Sequence, residues 1–254
     1  MAQETFVVAN WKMYKTAREA AAYVEELTPL IEGTPIKVWL AAPYTSIASA
    51  AKAAKGSPIL IGAQNMNDAQ SGAFTGEIAA LMLKEAGASF VLLGHSERRH
   101  GFGESNEFIH RKIIRALQDD LIPVLCVGET AGEREAGHTE KVLHEQLKKC
   151  LEGIPKESEF MVAYEPVWAI GTGKTATPKI AEEAHAFCRR CLEEIFGKKR
   201  AAQIPLLYGG SVKPENASEL TAQKEIDGVL VGGASLDPNV LSKIVLNCKS
   251  KGNP

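Results

Sequence analysis

Eight short apolar runs, rich in β-branched residues, recur along the chain at a nearly regular spacing, and this recurrence restricts the fold more than any other feature. They span Thr5 to Ala9, Ile36 to Ala41, Ile59 to Ala63, Ser89 to Leu93, Leu121 to Val127, Glu159 to Tyr164, Ile204 to Tyr208 and Asp227 to Val231. Each has the length of a strand. Their starts lie 31, 23, 30, 32, 38, 45 and 23 residues apart, close to the roughly 30 residues of one strand–helix–strand unit. Near-continuous apolarity suits strands covered on both faces, as in parallel sheets. Between them, Thr16 with Glu19 makes a capping box, and Thr177–Pro178 and Asp237–Pro238 place an N-cap before a first-turn proline. Gly33, Gly56, Gly87 and Gly197 follow the expected helix ends, and Ala17 to Leu30 and Leu81 to Ala86 carry apolar stripes suited to packing on a sheet. Strict alternation means α/β, and eight units favour a closed (β/α)8 barrel over an open doubly wound sheet. No linker or low-complexity stretch divides residues 1–254, so a single domain is expected.

Composition removes several partner classes. Lys and Arg total 29 against 31 Asp and Glu, a net charge of −2, and the two signs are interspersed. That leaves no electrostatic footprint for nucleic acid or an anionic membrane. Met1 to Asn10 lacks a basic region followed by a long apolar stretch, and the apolar runs are too short to span a bilayer. The five cysteines are sparse and odd in number, as expected of reduced thiols in a cytoplasmic protein.

In either α/β architecture the functional side chains stand just after strand carboxyl ends. Those positions hold Asn10-Trp11-Lys12, Gly94-His95-Ser96-Glu97, Cys126-Val127-Gly128-Glu129, Glu165-Pro166, Gly209-Gly210-Ser211 and Gly232-Gly233. Glu165 would be a partly buried carboxylate, and partial burial strengthens such a group as a base. His95 could exchange a hydrogen bond with substrate, and Lys12 could hold an anion or an oxyanion. Taken singly, each has an ordinary alternative: a solvated loop glutamate, a histidine bonded to backbone, an exposed lysine. A closed barrel would bring all three to one mouth.

Two nucleotide motifs fail on the stretch from Glu165 to Ala176. A P-loop needs a glycine where Trp168 stands, and the Gly171-to-Ala176 match to a dinucleotide fingerprint is separated from its strand by Pro166 and four further residues. What remains is either a surface loop or a moving lid with apolar Val167, Trp168 and Ile170 between a proline and two glycines. Glycines after the seventh and eighth runs suit a backbone phosphate site, or tight turns alone. Cys188-x-x-Cys191, with His185 nearby, falls inside a helical pattern and reads as helix packing rather than a metal or redox site.

The strings Asn10-Trp11-Lys12-Met13, Gly62-Ala63-Gln64-Asn65, Gly72-Ala73-Phe74-Thr75-Gly76-Glu77 and Gly94-His95-Ser96-Glu97-Arg98-Arg99 resemble the triosephosphate isomerase family. So do Cys126-Val127-Gly128-Glu129-Thr130, Tyr164 through Gly173, Tyr208-Gly209-Gly210-Ser211-Val212 and Val231-Gly232-Gly233-Ala234, and the likeness covers essentially the whole chain. It implies a single-domain TIM barrel that interconverts D-glyceraldehyde 3-phosphate and dihydroxyacetone phosphate through an enediolate, with no metal or organic cofactor. Glu165 is then the base, His95 a neutral electrophile and Lys12 a binding cation beside Asn10. Glu97 would pair with Lys12, and Cys126 would pack Glu165. Phosphate would lie on the backbone N–H groups of Gly171, Ser211, Gly232 and Gly233. The resemblance further implies a homodimer through Gln64 to Gly76, a stretch too long for a routine βα loop, with Thr75 reaching the neighbouring site. Tyr14, Met66 and His100 depart from the family's frequent residues and bear on that interface. Another phosphate-binding barrel, such as an aldolase or epimerase, is disfavoured because no late strand carries a Schiff-base lysine and no metal ligands cluster. A barrel without catalysis would be expected to lack Glu165, His95 or Lys12.

Overall fold

Along a β-strand, successive side chains point to opposite faces, so an apolar run can serve two cores at once. In the computed structural model, which describes residues 4–169 and 176–251, this is how the eight runs are used. One set, including Val8, Trp39, Phe90, Val124 and Met161, fills the inside of a ring of strands. The alternate set, including Val7, Leu40, Val91, Leu125 and Val229, faces the surrounding helices.

The strands are β1 (Phe6–Asn10), β2 (Lys37–Ala42), β3 (Ile59–Ala63), β4 (Phe90–Leu93), β5 (Ile122–Val127), β6 (Met161–Tyr164), β7 (Leu206–Tyr208) and β8 (Gly228–Val231). They pair in sequence order and close, all parallel: Phe6 lies opposite Lys37 of β2 and Gly228 of β8. Closure needs room inside. A Cβ on Gly62 would fall 2.4 Å from the Phe90 ring, so the missing side chain of β3 is the space Phe90 fills.

Two runs enter the sheet later than expected, at Met161 and Leu206 rather than Glu159 and Ile204. Pro205 has no N–H to give a ladder, and the Ser158 carbonyl is held by Arg200 instead. The helix Ala17–Leu30 starts at the Thr16–Glu19 capping box and buries Ala20, Tyr23, Val24 and Leu27, spaced as one helical face. The next expected stripe differs. The helix runs Ala80–Glu85 and buries Ala80 and Leu83, leaving Leu81 and Met82 exposed. Cys188, Cys191 and His185 lie buried on the helix Pro178–Phe196, with His185 Nδ1 2.7 Å from the Ala181 carbonyl. Among the described residues, no helix is long and apolar enough to cross a membrane.

Because all strands run the same way, the residues following them emerge at one end of the barrel.

Candidate active site

Glu165 leaves β6 with its N–H donating to the Val127 carbonyl at 2.7 Å, so the sheet's own register carries it to the mouth. It is 2% exposed. Oε2 accepts the Ser96 N–H at 3.0 Å, and Oε1 lies 3.0 Å from His95 Nε2. Two glycines let it sit there: a Cβ on Gly128 would fall 1.8 Å from the Glu165 carbonyl oxygen, and one on Gly209 would fall 2.8 Å from Glu165 Cγ.

His95 is the N-cap of the helix Ser96–Gly101, and its Nδ1 accepts the Glu97 N–H at 3.2 Å. A ring nitrogen that accepts a backbone N–H holds no proton of its own. The imidazole is therefore neutral, with its proton on Nε2 facing Glu165. Burial disfavours the imidazolium, while the Glu165 carboxylate and then Glu97 favour it, and the net effect is an upward displacement from the ordinary histidine value. The upward pull belongs to the carboxylate's seat against the ring. Cys126, fully buried inside the barrel, has its thiol pushed well up by burial and by the Glu165 charge.

Lys12 follows β1 in the left-handed region, φ +52°, a conformation that costs a side-chain-bearing residue on the order of 1 kcal/mol. Three contacts hold it. Its N–H donates to Asn10 Oδ1 at 2.9 Å, its carbonyl accepts from Gln64 Nε2 at 2.9 Å, and its Nζ lies 2.6 Å from Glu97 Oε1. Glu97 thus links the cation to the imidazole, through its carboxylate on one side and its N–H on the other.

The loops after β7 and β8 complete the ring of groups. A Cβ on Gly232 would lie 3.5 Å from Lys12 Cε, which places that loop against the cation. Gly233 starts the turn Gly233–Leu236, tied by the Ser235 N–H to the Gly232 carbonyl at 2.8 Å. Ser211 is anchored by Asn216, whose Nδ2 donates to its carbonyl at 3.1 Å. Gly171 lies outside the described residues, as does most of the expected lid. The described start of that loop is tied down by Glu129, whose Oε1 accepts from the Tyr164 hydroxyl at 3.1 Å and Trp168 Nε1 at 3.0 Å.

The structure therefore brings Glu165, His95, Glu97, Lys12 and Asn10 into one connected set, with Ser211, Gly232 and Gly233 at the same mouth. Sequence reasoning missed the Ser96 N–H and placed Gln64 only as the first residue of the interface stretch, not as a support for Lys12. A backbone donor carries no signature in residue identity, and Gln64 acts on carbonyls. Among the described residues no group of three or more His, Cys, Asp or Glu is placed to hold a metal ion.

Fold and site together define a (β/α)8 enzyme whose ionisable groups gather at the carboxyl-terminal mouth of the barrel. Residues 5–248 match the family model described as triosephosphate isomerase. The chain is 53% identical to the triosephosphate isomerase of Protochlamydia amoebophila, over 94% of this chain and 91% of that one. It is 48% identical to that of Solibacter usitatus, over 94% and 97%. A crystal structure of triosephosphate isomerase from Bartonella henselae superposes with a TM-score of 0.87 at 38% identity, covering 95% of this chain and 97% of that one. The chain belongs to the triosephosphate isomerase family.

Proposed function

We propose that Glu165 is the base with which this chain interconverts D-glyceraldehyde 3-phosphate and dihydroxyacetone phosphate, the isomerisation of its family in glycolysis and gluconeogenesis. The observation that carries this reading is a nearly water-free carboxylate bonded to the His95 Nε2 side and to the Ser96 N–H, beside Lys12. The carbon next to the carbonyl loses a proton to Glu165, and the electron pair moves onto the carbonyl oxygen to give an enediolate. The same carboxyl returns the proton to the neighbouring carbon, while the hydroxyl proton of the first carbon's oxygen passes to that of the second, so that the first becomes the new carbonyl and the second the new hydroxyl. No electrons enter or leave, so the chemistry needs no redox cofactor.

His95 has one proton on Nε2 and one acceptor for it. In the free site that acceptor is Glu165. A substrate oxygen taking its place frees the carboxylate to approach carbon and puts a neutral donor where oxyanion charge develops. Lys12 and Asn10 stabilise the second oxygen, and Glu97 holds Lys12 in place. Phosphate rests on the N–H groups of Gly171, Ser211, Gly232 and Gly233, covered by the lid Pro166 to Ala176.

The chain acts as a homodimer through Gln64 to Gly76, with Thr75 reaching the neighbouring site. Support comes from apolar side chains left in water on the loops after β1 to β4: Met13 is 95% exposed, Phe102 71% and Phe74 53%. Such a concentration marks a surface to be covered. The base of the long loop is ordered from within, since Asn67 Nδ2 donates to Glu77 Oε2 at 2.6 Å, while residues 70–77 stand out into solvent. Met66 is fully buried in the core, so its departure from the family pattern acts from beneath the loop. Five free thiols and the glycolytic reaction fit a cytoplasmic location.

The reaction run in D2O from dihydroxyacetone phosphate tests the mechanism. Solvent deuterium at C2 of the aldehyde product is expected. Product free of deuterium at every time point would indicate direct hydrogen transfer and refute an exchangeable base.

A further inference from the structure

We infer that Gln146 is a positioning residue for the base, acting through the backbone of Gly128; the inference rests on the reading of Glu165 as that base. β5 and β6 are in register up to Val127 and Tyr164. Beyond the strands the pairing continues, with the Glu165 N–H on the Val127 carbonyl at 2.7 Å and the Val167 N–H on the Glu129 carbonyl at 3.1 Å. Successive residues of a strand direct their N–H and C=O to opposite neighbours. The N–H and carbonyl of Gly128 therefore point away from β6, towards the side where β4 would have to continue.

β4 does not continue. It ends at Leu93, and Gly94 turns the chain away with φ +73°. Gln146, on the helix Thr139–Cys150 outside the barrel, occupies the vacated register. Its Oε1 accepts the Gly128 N–H at 2.8 Å, and its Nε2 donates to the Gly128 carbonyl at 3.2 Å. One side-chain amide replaces the missing strand. Arg99 does the same one step earlier, donating to the Cys126 carbonyl at 3.0 Å.

Gly128 is also the residue on which the base rests. With a would-be Cβ only 1.8 Å from the Glu165 carbonyl oxygen, its α-carbon lies directly against that peptide. Displacement of Gly128 is thereby passed to the backbone from which the carboxylate hangs. Among the described residues these two bonds are the only side-chain hydrogen bonds to Gly128, and Gln146 makes no others. Among the described residues Gln146 makes no hydrogen bond to Glu165, His95 or Lys12. Its effect belongs on the rate of proton transfer rather than on binding, because a near-attack geometry degrades steeply with small displacements of the reacting group.

The test compares the parent dimer with Gln146→Met, which keeps the bulk and removes both bonds, and Gln146→Glu. For Gln146→Met the expected result is a kcat about 10- to 100-fold lower, with KM and inorganic phosphate affinity within about threefold of the parent. In Gln146→Glu a protonated carboxyl can still accept from the Gly128 N–H and donate to its carbonyl, whereas the carboxylate faces that carbonyl with no proton. Its kcat relative to the parent should fall as pH rises through the carboxyl range. If Gln146→Met does not fold, this pH signature decides alone. A folded Gln146→Met within about twofold of the parent kcat, or a Gln146→Glu that tracks the parent at every pH, overturns the inference. Glu165→Gln is measured in parallel: if it retains activity the base reading fails, and if it alone loses activity only the Gln146 inference fails.

Discussion

Gly128→Ala adds one methyl group where the chain just past β5 meets Glu165. The new Cβ would lie 1.8 Å from the Glu165 carbonyl oxygen, and side-chain Cβ atoms do not approach closer than about 3.0 Å. One of the two backbones must move by about 1.2 Å, and neither is the flexible end of a side chain. Overpacking of this kind costs about 1–3 kcal/mol of stability. A base misplaced by about an ångström loses on the order of 10²-fold in rate, or about 2.7 kcal/mol of transition-state stabilisation. The control is Gly132→Ala in the helix Ala131–Glu135, where an added Cβ meets nothing within 4 Å. It should leave kcat unchanged and add about 0.4–1 kcal/mol of stability. The assay couples formation of dihydroxyacetone phosphate to its reduction, with urea melts on the same preparations. A folded Gly128→Ala that turns over within a few-fold of the parent would show that the contact transmits nothing to the carboxylate.

Other consequences can be measured separately. Burial, opposed by its backbone hydrogen bonds, lowers the His185 pKa to about 4. The unfolded chain therefore takes up a proton first on acidification, and stability falls as pH drops from about 6.5 towards 4, by about 2–3 kcal/mol by pH 4.5. Unfolding at pH 7 and 4.5 should show a smaller loss for His185→Leu, and equal losses would contradict the assignment. Sedimentation at assay concentration should give a dimer, and a fully active monomer would refute the shared site. Deleting Ile170 to Gly173 should leave the barrel folded, slow isomerisation steeply and raise the share of substrate lost as methylglyoxal and phosphate. Parent-like turnover without added methylglyoxal would reduce the loop to a connection.

The barrel was legible because parallel strands buried on both faces leave uninterrupted apolar runs, and eight of them at one period have few other uses. The meeting of Glu165, His95 and Lys12 at one mouth was legible from their place just after such runs. Leu81 and Met82 misled because residue type alone does not tell a helix's core face from its exposed face; Ala80 and Leu83 hold the core side. What stayed hidden works through the main chain. The left-handed turn at Lys12, the Ser96 N–H under Glu165, and the grips of Gln64 and Gln146 on peptide groups depend on where the backbone points. Side-chain chemistry does not encode that before the strands are in register.

Replacing Glu165 by Gln keeps the size of the side chain and removes its basicity, so it bears on the central claim with the least structural disturbance. In the coupled assay Glu165→Gln should lose about 10²- to 10⁴-fold in kcat, the usual worth of a positioned base. Its affinity for glycerol 3-phosphate should stay within about threefold of the parent, because the phosphate contacts are untouched. Near-parent turnover by a folded Glu165→Gln would remove Glu165 as the proton carrier.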